Sequence, residues 1–142
     1  MMELLPAIEI SASGLTAERL RLDLIASNLA NINTTRTPEG GPYKRKVPVF
    51  EEKLQEALGK NPTNAPGRGV KVARIVEDNT PPRLVYEPSH PDADANGYVA
   101  YPKINVVSEM VDMITATRAY EANVTVLNAA KAMTLKALEI GR

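Results

Sequence analysis

Cysteine is absent from the 142 residues, which excludes disulfide frameworks, thiolate metal sites and thiol nucleophiles and leaves the redox compartment open. Histidine occurs once, so no pair of imidazoles can build a metal or acid–base site. There is no excess charge of either sign. Seventeen basic residues balance seventeen acidic ones, and no long-range field would draw the chain to nucleic acid or to an anionic bilayer. A protein partner is the expectation that remains. Apolar runs of 18 residues are missing, and the opening MMELLPAIEIS carries Glu3 and Glu9 where a cleavable signal needs a basic start and an unbroken apolar stretch. The chain is expected to be soluble, without membrane insertion and without an address of that kind.

Helix breakers are scarce at both ends. Ten of the eleven prolines lie between Pro38 and Pro102, and six of the eight glycines between Gly40 and Gly97. The chain therefore reads as helix, irregular centre, helix. We divide it into an N-terminal helical assembly segment, 1–34, a central loop and β region, 35–104, and a C-terminal helical assembly segment, 105–142. The fold expected is mainly α, with two long terminal helices forming a coiled-coil layer and a small irregular centre containing β-hairpins.

In the first helix Ile8, Leu15, Leu22 and Leu29 recur every seven residues, with Ala12, Ile25, Ala26 and Ile32 on the same side. Pro6 suits a first turn, where its missing N–H costs nothing. Gly14 either loosens the helix or admits another backbone. Asn28, Asn31 and Asn33 stand near the helix end, where asparagine terminates helices by back-bonding. Alternatively, Asn28 and Asn31 hydrogen-bond across to a neighbouring chain and penalise wrong registry.

The C-terminal segment carries two heptad lines. Val106, Met110, Met113, Thr117, Tyr120, Val124, Leu127, Lys131, Thr134 and Leu138 form the first, interrupted by Lys131. Ala116, Ala119, Asn123, Val126, Ala130, Met133, Ala137 and Ile140 form the second. Together they span an arc of roughly 160°, wider than one antiparallel partner covers. Two different neighbours are implied, and in the isolated chain the ends are expected to be mobile, with Leu127 largely exposed. The competing reading is a helix in an ordinary bundle core.

Between the helices GGPYKRKVPVF, GVKVARIV, PPRLVYEP and GYVAYP read as short strands, EEKLQEAL as a single helical segment, and Lys60 to Gly69 as an exposed loop. Asp92, Asp94, Asn96 and Gly97 reproduce the opening of a calcium loop, but its twelfth position is Lys103 rather than glutamate. A turn capping its own backbone uses the same residues. His90 lies between Ser89 and Pro91 with no partner for catalysis, and Lys44, Arg45 and Lys46 make a weak basic patch. Gly40 and Gly41 lack the lysine and hydroxyl of a phosphate loop. No enzymatic activity, metal or cofactor is expected.

SASGL followed by ASNLANINT near the N-terminus resembles the signature of flagellar axial proteins of the rod and hook. GGPYKRK, VYEPSHPDADANGYVAYP and EMVDMITATRAYEANVTVLNAAKAM are similar to segments of its proximal-rod members, and only Lys53 to Gly69 lacks a match. The resemblance implies a structural subunit of the basal-body rod, crossing the periplasm after export from the cytoplasm by the flagellar type III apparatus. Its implied partners are further copies of itself and neighbouring rod proteins of the FlgB, FlgF and FliE types. The assembly interface is assigned to Ile8, Gly14, Leu15, Leu22, Asn28, Leu29, Asn31, Met110, Met113, Tyr120, Val124, Leu127 and Leu138. Another axial subunit, or a small calcium-binding module, is the alternative.

Overall fold

The computed structural model describes residues 4–53 and 69–141. Helix α1 spans Leu4–Ala30 and helix α2 spans Val106–Ile140. Between them strands β1 (Lys46–Glu52) and β2 (Val70–Glu77) pair antiparallel, and β3 (Arg83–Tyr86) pairs antiparallel with β4 (Tyr98–Tyr101) as a separate two-stranded sheet.

Local chemistry sets the boundaries. Pro6 sits in the first turn of α1, where a missing donor is harmless. At the other end the Asn31 side-chain amide donates to the Ser27 carbonyl at 2.8 Å, and its carbonyl accepts from the Thr34 hydroxyl at 3.1 Å. Asn31 thus terminates its own helix. Asn105 caps α2, its side-chain oxygen accepting from the backbone N–H groups of Val107 and Ser108 at 3.0 and 3.3 Å and satisfying two donors that the first turn leaves unpaired.

Pro82 and Pro102 directly flank β3 and β4, whereas Pro48 lies within β1 opposite Ile75. The register shift between Val49 and Phe50 leaves Ala73 of β2 as the extra, unpaired residue of a bulge. Glu51 and Glu52 belong to β1 rather than to a helix, which corrects the reading of EEKLQEAL at its first two residues. Lys53 follows β1 outside any helix, and the rest of that stretch, with all of the Lys60 to Gly69 loop except Gly69, lies outside the described residues.

Helices α1 and α2 run antiparallel side by side, with Asn28 beside Glu109 at one end of the contact and Gly14 beside Asn123 farther along. The first sheet lies against α1. There the Ser13 hydroxyl accepts from the backbone N–H of Val70 at 3.0 Å. Among the described residues the buried aliphatic side chains are few and half of them are alanine, namely Ala17, Leu24, Ile25, Val99, Ala116 and Ala130. Alanines let helices approach closely but remove little apolar area from water. The hairpin of β3 and β4 buries Val99, while Leu84, Tyr86 and Tyr98 stay exposed, with the Tyr86 and Tyr98 rings edge to face at 5.3 Å.

Candidate assembly surface

The side of α2 that meets α1 follows neither heptad line read from the sequence. Along its middle the buried and half-buried residues Met113, Ala116, Tyr120, Asn123, Leu127, Ala130, Thr134 and Ala137 take alternate positions from the two lines, with Glu109 buried one heptad before Ala116 and Asp112, Ala119 and Val124 half-buried beside them. The contact stripe runs between the two lines, because α1 centres on the middle of the arc. Residues on both flanks stay in solvent: Met110 and Leu138 on one side, Val126, Met133 and Ile140 on the other. Val107, Val111 and Ile114 add a third exposed group near the start of the helix. One neighbour is therefore within the chain, and the rest of the arc is uncovered.

Helix α1 behaves similarly. Ser11, Ser13, Ala17, Leu24, Ile25 and Asn28 are buried, whereas Ile8, Leu15, Leu22 and Leu29 are half-buried along a flank and Ala12 and Ala26 are exposed. The apolar line read from the sequence is thus the edge of the buried face rather than its centre. Two faces of α1 compete for burial, one against α2 and one against the first sheet, and serine and alanine occupy them because both approaches are close.

At the sheet end of the helix pair lies a polar cluster. Asn28 and Glu109 are each 1% exposed. The Asn28 amide donates to the Lys46 carbonyl at 2.9 Å and to Glu109 Oε2 at 3.4 Å, and its oxygen accepts from the Lys46 N–H at 2.9 Å and the Tyr43 hydroxyl at 3.0 Å. Arg45 donates through Nε to Glu109 Oε1 and through Nη2 to Asp112 Oδ2 at 3.4 Å. Arg21 of α1 reaches the other oxygen of Asp112 at 4.0 Å. A carboxylate removed from water to this degree is tolerable only because a guanidinium and an amide hold it.

Of the thirteen residues assigned to the assembly interface, Met110 and Leu138 are exposed. Ile8, Leu15, Leu22, Leu29, Met113, Tyr120, Val124 and Leu127 are half-buried. Gly14 faces Asn123 within the chain, Asn31 caps its own helix, and Asn28 spends its hydrogen-bonding groups on Lys46, Tyr43 and Glu109. Leu127 is half-buried rather than largely exposed, since the contact stripe passes through it. Sequence reasoning missed Arg45 and Glu109. The available signal was that Glu109 continues the stripe of Ala116 and Ala130 by one heptad, so a charge stands where an apolar residue belongs.

The calcium-like segment is occupied otherwise. Asp94 Oδ1 accepts from the backbone N–H groups of Asn96 and Tyr98, each at 2.9 Å, while Asp92 Oδ2 accepts from the Thr35 hydroxyl at 2.8 Å. His90 Nδ1 accepts from the Asp92 N–H at 3.0 Å, which places the ring proton on Nε2 when the imidazole is neutral. Asp94 and His90 hold their own turn together, and Asp92 ties it to Thr35 after α1. No helix among the described residues is long and apolar enough to cross a membrane.

Two family models match the chain. One, described as Flagella basal body rod protein, covers residues 8–36, and the other, described as Flagellar basal body rod FlgEFG protein C-terminal, covers residues 95–140. These stretches contain most of α1 and α2. Flagellar basal-body rod protein FlgC of Borreliella burgdorferi is 47% identical over 149 aligned positions, covering 98% of each chain. FlgC of Bacillus subtilis is 46% identical, covering 96% of this chain and 97% of its own. FlgC of Salmonella typhimurium is 46% identical, covering 99% and 100%.

Proposed function

Because the chain belongs to the family of flagellar basal-body rod proteins, we infer that it is a structural subunit of the rod and works by packing rather than by chemistry. We place it in the proximal rod, where the uncovered faces of α1 and α2 join a coiled-coil layer with other copies and with FlgB-, FlgF- and FliE-type neighbours. In this reading segments 1–34 and 105–142 are the assembly segments and 35–104 is the intervening region. Delivery by the flagellar type III export apparatus belongs to the same proposal.

One observation carries the mechanism: α2 has apolar residues on both sides of the stripe that α1 covers. Two unlike flanks on one rigid helix give heterologous contacts, which build an open helical assembly instead of a closed ring. Rotation would pass through the packed helices from motor to hook. The test is complementation of a strain lacking its own subunit of this type. Restored swimming, with the tagged chain recovered in isolated basal bodies, is expected; a chain that is expressed but never found there would overturn the assignment.

A further inference from the structure

We propose that the Asn28, Arg45 and Glu109 cluster, together with the Gly14–Asn123 contact, is a register lock that selects one alignment of α1 on α2 and does not serve net stability. The contact stripe carries Ala116, Ala130 and Ala137 at multiples of seven residues, with Asn123 at the heptad position between the first two. Sliding α2 along α1 by seven residues would put Ala137 in the place of Ala130, Leu127 in that of Tyr120 and Tyr120 in that of Met113, and would change apolar burial little. Polar groups make that slide costly. It would bring Ala116 opposite Asn28 and take Glu109 away from both Asn28 and Arg45, leaving a buried carboxylate without partners.

The second contact acts at a distance. Gly14 and Asn123 meet fourteen residues from Asn28 and Glu109 on their respective helices, about 21 Å along the axis. Two polar or steric keys at that separation discriminate against slides that either one alone would tolerate. Arg45 and Lys46 also lead directly into β1, so the cluster fixes the first sheet to the aligned pair. The inference deepens the assembly reading: a copy slipped by one heptad would present Val126 and Met133 about 10 Å out of place to its neighbours.

The test uses the isolated full-length chain, so its outcome is independent of whether α2 is an assembly surface. The chain has no cysteine, and the pair Gly14→Cys with Asn123→Cys reports alignment by forming a disulfide under mild oxidation. In this background the Gly14–Asn123 contact is replaced, and alignment depends on the cluster. With the cluster intact, intramolecular cross-linking is expected to dominate; its absence would overturn the alignment itself. Adding Arg45→Met with Glu109→Leu exchanges the buried pair for apolar side chains, a change that often leaves stability equal or higher. The thermal midpoint should hold or rise while the cross-link yield falls by about fivefold or more. An unchanged yield, or a lower midpoint with unchanged yield, would show a stabilising role only and overturn the lock. If that variant fails to fold, Glu109→Gln decides: a reduced yield supports the lock and a full yield overturns it.

Discussion

Gly14 of α1 lies so close to Asn123 of α2 that a β-carbon at position 14 would stand 2.8 Å from the Asn123 Nδ2 atom. Alanine gains about 1 kcal/mol over glycine inside a helix, and displacing the Asn123 amide offsets that gain. Gly14→Ala should therefore change stability little in the parent but stabilise an Asn123→Ala background by about 1 kcal/mol. Gly14→Leu should cost about 1–3 kcal/mol by forcing the helices apart. Urea unfolding of the double-mutant cycle checks this, and additive single effects would refute the contact.

Gly97 has φ +82 and its missing β-carbon would meet Tyr86 Cε2 at 2.9 Å, whereas Gly40 has φ +90 with nothing within 4 Å. Both alanine substitutions carry the left-handed backbone cost of about 1–2 kcal/mol. Only Gly97→Ala also displaces the Tyr86 ring. It should lower the thermal midpoint more than Gly40→Ala, and equal shifts would mean that the ring contact contributes nothing.

Asp78 accepts from both the hydroxyl and the backbone N–H of Thr80, and chiefly the hydroxyl holds its carboxyl below the ordinary value of 3.8. A depressed carboxyl stabilises the fold above the unfolded pKa, and that contribution fades as pH falls through the lower folded value. Thr80→Val should raise the Asp78 pKa in an NMR titration. No movement would remove the hydroxyl as the cause.

Millimolar calcium should leave the thermal midpoint unchanged, because Asp94 is committed to its own backbone and Asp92 to Thr35. A calcium-dependent rise would revive the binding-module reading of residues 92 to 97.

Much of this architecture is legible in the sequence. Proline and glycine placement marks the irregular centre, the segment from Lys46 to Tyr101 yields its strands from β-branched runs, and the heptads of the C-terminal segment announce a helix with more apolar arc than one partner covers. The azimuth of contact is not legible. A broad arc does not say where along it the partner lies, and here close-approach residues decide: Gly14, Ala116 and Ala130 draw the helices together along the middle. Asn28 and Asn31 look alike as helix-end asparagines, yet one caps its own helix and the other is enclosed by a loop and α2. Arg45 and Glu109 are 64 residues apart in sequence, and charge ordinarily marks solvent, so only the fold reveals the pair.

The central claim, that the flanks of α2 left uncovered by α1 are assembly surfaces, is tested most directly by comparing Val126→Asp with Leu127→Asp. Neighbours in sequence, they lie in different settings: Val126 is 49% exposed, whereas Leu127 is half-buried in the stripe against α1. Leu127→Asp should destabilise the isolated chain by roughly 1.5–3 kcal/mol. Val126→Asp should leave its thermal midpoint and helicity near the parent's. The deciding measurement is electron microscopy of basal bodies from cells whose sole copy carries Val126→Asp. The account predicts a chain that is stable and soluble but builds no complete rod. Complete rods in swimming cells would contradict it.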